Sequence, residues 1–288
     1  MRNTADEDYA ARVTVQEGKG GIAPVFCVPG AGASVTSFCD LAEALGSHVS
    51  VYGLQPRGMD GKARPFADVS SAARAYLRSV EDTVDGRAYR LVGHSFGGWV
   101  VFEMAVQLER MGKSVEMLLV LDSDVPSARD SSGRSSRELT LMRLVELFEQ
   151  HAGRELGISL ADFEQWGCEK GVRVLHERLI RVGLLSVRSN LTSLRGLIDV
   201  FETCANTDYV PSIPYDGPLH YISAEQPGKE RGAAAEKIVR TQSGWRALAA
   251  RATFGRSAGN HMTMLRSPYV TAVAKWMTAQ FPWVTVHG

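Results

Sequence analysis

The chain has 288 residues, 44% hydrophobic and 22% charged, with 32 basic residues balanced by 32 acidic ones. That length suits one large hydrophobic core or a domain carrying an insertion. Zero net charge without a basic stripe argues against a nucleic-acid partner, no apolar run approaches the roughly 18 residues of a membrane span, and the polar, acidic start MRNTADEDYAARVTVQ is not read as a signal peptide.

In the first half, strand and helix patterns alternate. Residues 24–29 (PVFCVP) form a short apolar run closed by Pro29-Gly30. Residues 36–46 read as a helix, with Phe38, Leu41, Ala42 and Leu45 apolar, and 49–54 (VSVYGL) as a strand. A Gly/Pro/Arg-rich loop runs from Gln55 to Pro65. Residues 68–84 are predicted helical, with Val69, Ala72, Ala73, Tyr76, Leu77 and Val80 on one face. A strand at 89–92 runs into a glycine-rich turn; a helix follows over 96–111, with Gly112 as its C-cap. Residues 115–121 (VEMLLVL) are a buried strand. This order predicts an α/β fold, a mainly parallel sheet with helices on both faces.

After Pro126 the rhythm changes. Residues 127–136 are polar and loop-like, then helical stretches follow near 137–151, 159–166, 170–182 and 189–205 without a convincing strand. Alternation resumes near Pro218: LHYIS is a strand, 232–241 a helix, 251–255 a strand and 268–280 a helix. The expected division is an N-terminal extension (1–21), a first core part (22–126), a helical insertion (127–215) and a second core part (216–288). An all-helical insertion at a sheet's mouth reads as a lid; the alternative is a subdomain that only packs.

Chemistry concentrates in Gly93-His94-Ser95-Phe96-Gly97. The pattern G-x-S-x-G is common by itself, but here it sits between the strand YRLV and a helix, where a nucleophile elbow must be. A Cβ at 93 or 97 would clash with the neighbouring strand or helix, and Gly98 lets the helix start sit close to the sheet. Ser95 then stands beside a helix N-terminus, which favours developing negative charge. The competing reading, a nucleotide-binding turn, lacks both the G-x-G-x-x-G order and a Walker lysine.

A serine hydroxyl needs a base. His261, in SAGNHMTML after the last strand and before the last helix, has the chain order required of it; His94 is read as structural. The base needs an orienting acid. Asp122, ending the strand VEMLLVL, is favoured over Asp124 further into the loop and over Glu225 after the next strand. The oxyanion would be held by the amides of Phe96 and, from the small-residue loop Pro29-Gly30-Ala31-Gly32, Ala31. Cys27, Cys39, Cys168 and Cys204 form no C-x-x-C pair and stand at no zinc-binding spacing; they are expected reduced and mostly buried, which suits a cytoplasmic protein.

The segments PVFCVPGAGAS, VYGLQPRGMDG, LVGHSFGGWVVFEMAVQLERMGKSVEMLLVLDSDVP and GNHMTML resemble the terminal (type I) thioesterase domains of nonribosomal peptide and polyketide synthetases, within the α/β-hydrolase superfamily. The first loop departs from the family's usual Pro-x-Gly-Gly, reading Pro-Gly-Ala-Gly-Ala. The resemblance implies the α/β-hydrolase fold with a helical lid from about Pro126 to Tyr215. It implies Ser95 as nucleophile, Asp122 as acid, His261 as base, and oxyanion amides at Ala31 and Phe96. It further implies release of an acyl, peptidyl or polyketide chain from the phosphopantetheine thioester of a carrier-protein partner, by hydrolysis or cyclisation. No metal and no cofactor of the chain's own is expected, since the phosphopantetheine belongs to the partner. Stand-alone editing (type II) thioesterases usually carry the acid after the later strand, and no Asp stands at 223–227 here. A lipase or carboxylesterase and an inactive binding module are the remaining alternatives.

Overall fold

The computed structural model describes residues 9–19, 21–84, 86–127, 136–225 and 231–281. In chain order the elements begin with β1 (Arg12–Gln16), β2 (Val25–Val28), a 3-10 turn (Val35–Phe38) that leads into α1 (Cys39–Leu45), and β3 (Val51–Leu54). They continue with α2 (Val69–Val84), β4 (Tyr89–His94), α3 (Phe96–Arg110) and β5 (Val115–Leu121). Three helices follow, α4 (Arg137–Ala152), α5 (Leu160–Arg181) and α6 (Leu191–Ala205). Last come β6 (Leu219–Ala224), α7 (Arg231–Leu248), β7 (Ala252–Ser257) and α8 (Val270–Gln280).

The strands form one seven-stranded sheet in the order β1-β3-β2-β4-β5-β6-β7. β1 pairs antiparallel with β3, and the other pairs are parallel. The edge strand β1 lies in the segment read from sequence only as an extension. The chain leaves β2 outward to β3, then returns to β4 on β2's other side. Such a reversal parts the loops at the strands' carboxyl ends and opens a crevice between them.

Successive strand side chains enter opposite cores. Phe26, Val28, Leu91, Leu118 and Val120 join α2, α3 and Trp245 of α7 on one face. Val25, Cys27, Val92, Leu119 and Leu121 join Leu41 of α1 and Val273 of α8 on the other. Helices therefore cover both faces, as the apolar strand runs predict. α3 buries nearly every residue from Gly97 to Leu108 because it packs against both α2 and the sheet.

α4, α5 and α6 enclose a third cluster that includes Leu144, Phe163, Leu175, Leu194 and Ile198. Each of these helices has a side-chain cap: Ser136 accepts from the Leu139 amide, Ser159 and Asp162 form a capping box, and Asn190 accepts from the Ser193 amide. The helical stretches expected at 159–166 and 170–182 are the two arms of α5, broken at Gly167, where φ is 70° and ψ 162°. The polar loop expected over 127–136 lies outside the described residues except at its two ends. All four cysteines are unpaired, and only Cys27 is fully buried, fewer than expected. Among the described residues no helix is long and apolar enough to cross a membrane.

α3 meets the sheet with no room to spare. A Cβ on Gly97 would stand 2.2 Å from the carbonyl oxygen of Val28, and one on Gly93 2.3 Å from that of Gly97. Gly97→Ala is therefore expected to cost about 3 kcal/mol or more in urea unfolding. Gly86→Ala, where φ is 75° and no atom lies within 4 Å of the added carbon, is expected to cost only the backbone penalty of about 1–2 kcal/mol.

Candidate active site

Ser95 lies between β4 and α3 with φ 54° and ψ −124°. Backbone in so sparsely populated a region costs on the order of 1–3 kcal/mol and persists only when its surroundings enforce it. The Ser95 amide donates to the Leu121 carbonyl (2.9 Å), and the Ser95 carbonyl accepts from the Gly98 amide (2.9 Å). Gly30 stands alongside: a Cβ there would be 3.1 Å from the Ser95 Cβ. The elbow expected from the sequence is thus present, with the serine at the carboxyl end of β4.

Asp122, directly after β5, has φ 44°. Among the described residues, Ser95 and Asp122 are the two non-glycine residues with positive φ. Asp tolerates this conformation better than most residues. Its amide donates to the Ile222 carbonyl (2.8 Å), Oδ1 accepts from the Ala224 amide (3.0 Å), and Oδ2 lies 2.7 Å from His261 Nδ1. Burial works to raise the Asp122 pKa, but the His261 hydrogen bond, the His261 charge and the Ala224 amide outweigh it and hold the carboxyl below its usual value. A carboxylate only accepts, so Nδ1 carries the proton, and in the neutral ring Nε2 keeps its lone pair.

The segment after Asp122 is held by two indoles. Trp245 Nε1 donates to the Ser123 carbonyl (3.3 Å), and Trp99 Nε1 to the Asp124 carbonyl (2.7 Å). Asp124 points outward to Lys237 (3.2 Å). Glu225 is exposed, and its amide donates to the Ser257 carbonyl. The carboxylate that meets His261 is therefore that of Asp122. Neither indole carries a sequence signal: Trp99 reads as ordinary packing within the helix over 96–111, and Trp245 lies past the helix expected over 232–241.

His94 is buried under the site. Its Nε2 lies 3.0 Å from the His261 carbonyl oxygen, and the two imidazoles are 4.8 Å apart, centroid to centroid. A carbonyl only accepts, so Nε2 is the protonated nitrogen of His94. Burial first, and repulsion from His261 second, push its pKa down to about 3, against the opposing pull of Asp122 and of the His261 carbonyl. His94 is thus a neutral prop beneath the loop that carries His261, consistent with the structural role read from sequence.

Phe96 is the first residue of α3, where a helix leaves amides without intrahelical partners. Ala31 is half-buried in the turn after β2, which is closed by the Ala33 amide donating to the Gly30 carbonyl (3.1 Å). α6 lies over that turn: a Cβ on Gly32 would stand 3.0 Å from the Phe201 Cβ. The arrangement places a serine at a strained strand–helix turn, an imidazole held by a carboxylate, and amides at a helix start. Among the described residues no group of three or more His, Cys, Asp or Glu is placed to hold a metal ion.

Comparison with known proteins gives one consistent picture. The family profile described as "Thioesterase domain" matches residues 23–281. Indigoidine synthase of Dickeya dadantii (strain 3937) is 32% identical over 126 residues, 44% of this chain but 8% of that protein. The chain spans less than a tenth of the length of the curated relatives it matches first. Among solved structures, the Vlm2 thioesterase domain superposes with a TM-score of 0.65 at 21% identity, over 94% of this chain and 97% of that one. YbtT, a type II thioesterase from a yersiniabactin NRPS/PKS biosynthetic pathway, does so with a TM-score of 0.66 at 16% identity, over 96% of this chain and all of that one. The fold is the α/β-hydrolase fold expected from the sequence.

His94 carries a pH signature. An unfolded histidine takes up a proton near pH 6.5, whereas folded His94 does so only near 3. Its contribution to stability is therefore complete above pH about 6.5 and is lost as pH falls from there toward 3. His94→Gln, which keeps an N–H for the His261 carbonyl, is expected to flatten the decline of unfolding free energy in this range by up to one proton's slope. An unchanged slope in urea titrations would remove His94 as its source.

Proposed function

This chain belongs to the thioesterase domain family, and from that premise we propose that it releases an acyl, peptidyl or polyketide chain from the phosphopantetheine thioester of a carrier protein. The 2.7 Å Asp122–His261 hydrogen bond, beside an elbow serine at φ 54°, is the observation that carries this reading. His261 Nε2 takes the Ser95 proton as Oγ attacks the thioester carbonyl carbon. The tetrahedral oxyanion rests on the amides of Phe96 and Ala31. The C–S bond then breaks, and the departing thiolate takes the proton from His261. Asp122 stabilises the imidazolium without accepting its proton. Water, or a nucleophile within the acyl chain, attacks the Ser95 ester with His261 again as base, giving an acid, a lactone or a lactam. The phosphopantetheine arm belongs to the carrier protein, so this chain supplies no cofactor of its own.

α4, α5 and α6 serve as the lid. The support is that α6 overlies the Gly30–Ala33 turn and that Ala31 packs against the helices' own cluster. A lid that excludes water would decide between hydrolysis and cyclisation. The acid placed after β5 favours the terminal, product-releasing class. The editing class is the second reading, because the type II thioesterase YbtT shares the fold at a TM-score of 0.66, against 0.65 for the Vlm2 thioesterase domain.

Ser95→Ala is expected to abolish both labelling by a fluorophosphonate probe and thioester turnover. Asp122→Asn is expected to lower kcat by roughly 10⁴-fold, as loss of the orienting carboxylate does in such triads. Glu225→Gln is expected to leave kcat within about twofold, since a surface carboxylate of this kind contributes little. The opposite pattern between Asp122 and Glu225 would move the acid to the later strand. Side-by-side assay of acyl thioesters and matched oxygen esters separates a thioesterase from a carboxylesterase; faster turnover of the oxygen esters would overturn the thioester assignment.

A further inference from the structure

Asp122 stands where regular structure gives out. β5 ends at Leu121, Asp122 takes φ 44°, and residues 123–127 belong to no helix or strand. On the β6 side Asp122 is tied twice, by its amide to the Ile222 carbonyl and by Oδ1 to the Ala224 amide. With the amide anchored, rotation of Asp122 back to an ordinary φ would swing its carboxylate away from His261. Strain at a non-glycine residue of positive φ is of the same order as the net contribution of one or two hydrogen bonds. The backbone after Asp122 must therefore be held as well.

Two indoles hold it, and they differ in character. Trp245 is fully buried beside Phe102 and Tyr221, and its bond to the Ser123 carbonyl is 3.3 Å long. Its first duty is to the core. Trp99 is only half-buried, one turn of α3 beyond the elbow, and its bond to the Asp124 carbonyl is 2.7 Å.

The Trp99 ring is itself fixed in place. It packs against Phe96, with ring centroids 5.5 Å apart, and against Tyr209, at 6.1 Å. The Tyr209 hydroxyl donates to Glu103 Oε2 (2.6 Å). Glu103 is buried, and its Oε1 accepts from the Ser70 hydroxyl and from Gln107 Nε2, each at 2.9 Å. A buried, fully hydrogen-bonded carboxylate thus anchors the aromatic stack that aims the indole N–H. The Asp124 side chain takes no part, since it meets Lys237 at the surface.

Resting on the acyl-serine mechanism above, we propose that Trp99 is a positioning residue for the acid. Through the Asp124 carbonyl, its N–H holds Asp122 in the conformation that meets His261 Nδ1. The first turn of α3 then carries the nucleophile at its start and the support of the acid at its end. This role needs no contact with substrate.

Two replacements at position 99 separate the bond from the packing. Trp99→Phe keeps an aromatic ring and loses the donor. The tryptophan analogue benzothienylalanine, in which sulfur replaces the indole N–H, keeps the shape as well. Both are expected to lower kcat about tenfold or more with KM within about twofold, because a reacting group misplaced by about 1 Å can cost on the order of 100-fold. Nitrogen NMR of the neutral His261 ring, its signals identified by their loss in His261→Gln, reads the tautomer directly. The proton is expected on Nδ1 in the unaltered chain and shared between Nδ1 and Nε2 in both replacements. Lys237→Gln, which frees only the Asp124 carboxylate, should leave kcat within about twofold.

An unaltered tautomer in the analogue-bearing chain would overturn the proposal, even where Trp99→Phe is impaired, because packing alone would then explain that loss. Should Trp99→Phe fail to fold, the analogue decides by itself. The tautomer also keeps the two readings apart. A shifted tautomer in the analogue, with no thioester turnover and no fluorophosphonate labelling of the unaltered chain, keeps Trp99 as the support of Asp122 and removes the thioesterase mechanism. Thioester turnover with kcat and tautomer both unmoved by the analogue removes Trp99 and leaves the mechanism.

Discussion

At residue 95 the chain leaves a fully buried parallel strand and enters a helix that is itself buried nearly all round. An ordinary extended or helical residue cannot make that change of direction in so little space, so Ser95 adopts φ 54°. The turn closes only because α3 can approach β2 until Gly97 nearly touches the Val28 carbonyl. Removing that approach would lift the whole helix, together with Val101, Phe102 and Met104, out of the core it completes. Packing of α3 thus offsets the local strain, and the same packing points the serine into the crevice. The bond from the Ser95 amide to Leu121 carries the constraint to β5, whose next residue takes the second positive φ.

Two histidines 4.8 Å apart end up with opposite duties because their surroundings differ. His94 is buried and stays uncharged; its N–H supports a carbonyl. His261 is a third exposed at its side chain and faces a carboxylate. In the proposed acyl transfer a charged His94 would oppose an imidazolium at His261, so its neutrality would serve that chemistry as well as the fold. The loop between β7 and α8 is secured along its length. Asn260 accepts from the Met262 and Thr263 amides, Ser267 donates to Asp40, and Arg266 meets His151 of α4.

Local chemistry was readable where it depends on neighbours in sequence. Gly93-His94-Ser95-Phe96-Gly97 between an apolar strand and an apolar helix shows its turn directly, and Asp122 is visible as a polar residue ending VEMLLVL. β1 is not distinguished from the polar segment around it, because RVTVQ, though it alternates, offers only the two apolar residues Val13 and Val15 before a bulge between Thr14 and Gln16 breaks its register. α7 extends to Leu248, beyond the residue 241 expected, because Trp245 is buried against Phe102 and Tyr221, a tertiary contact no local pattern announces. The His94–His261 bond spans 167 residues, so it has no signature in any single window.

The hydrogen bond between Asp122 and His261 joins residues 139 positions apart, across the four helices α4 to α7 and the strands β6 and β7. Contacts of such wide separation carry a large loop-closure cost and form late. As the polypeptide is synthesised, the elbow and the acid emerge well before their base. On the proposed mechanism, a nascent chain bearing residues up to α6 would hold the serine without its proton acceptor. The proposed reactivity would then wait until β6 and β7 have paired and the histidine loop has docked, so that completion of the fold would guard against premature chemistry.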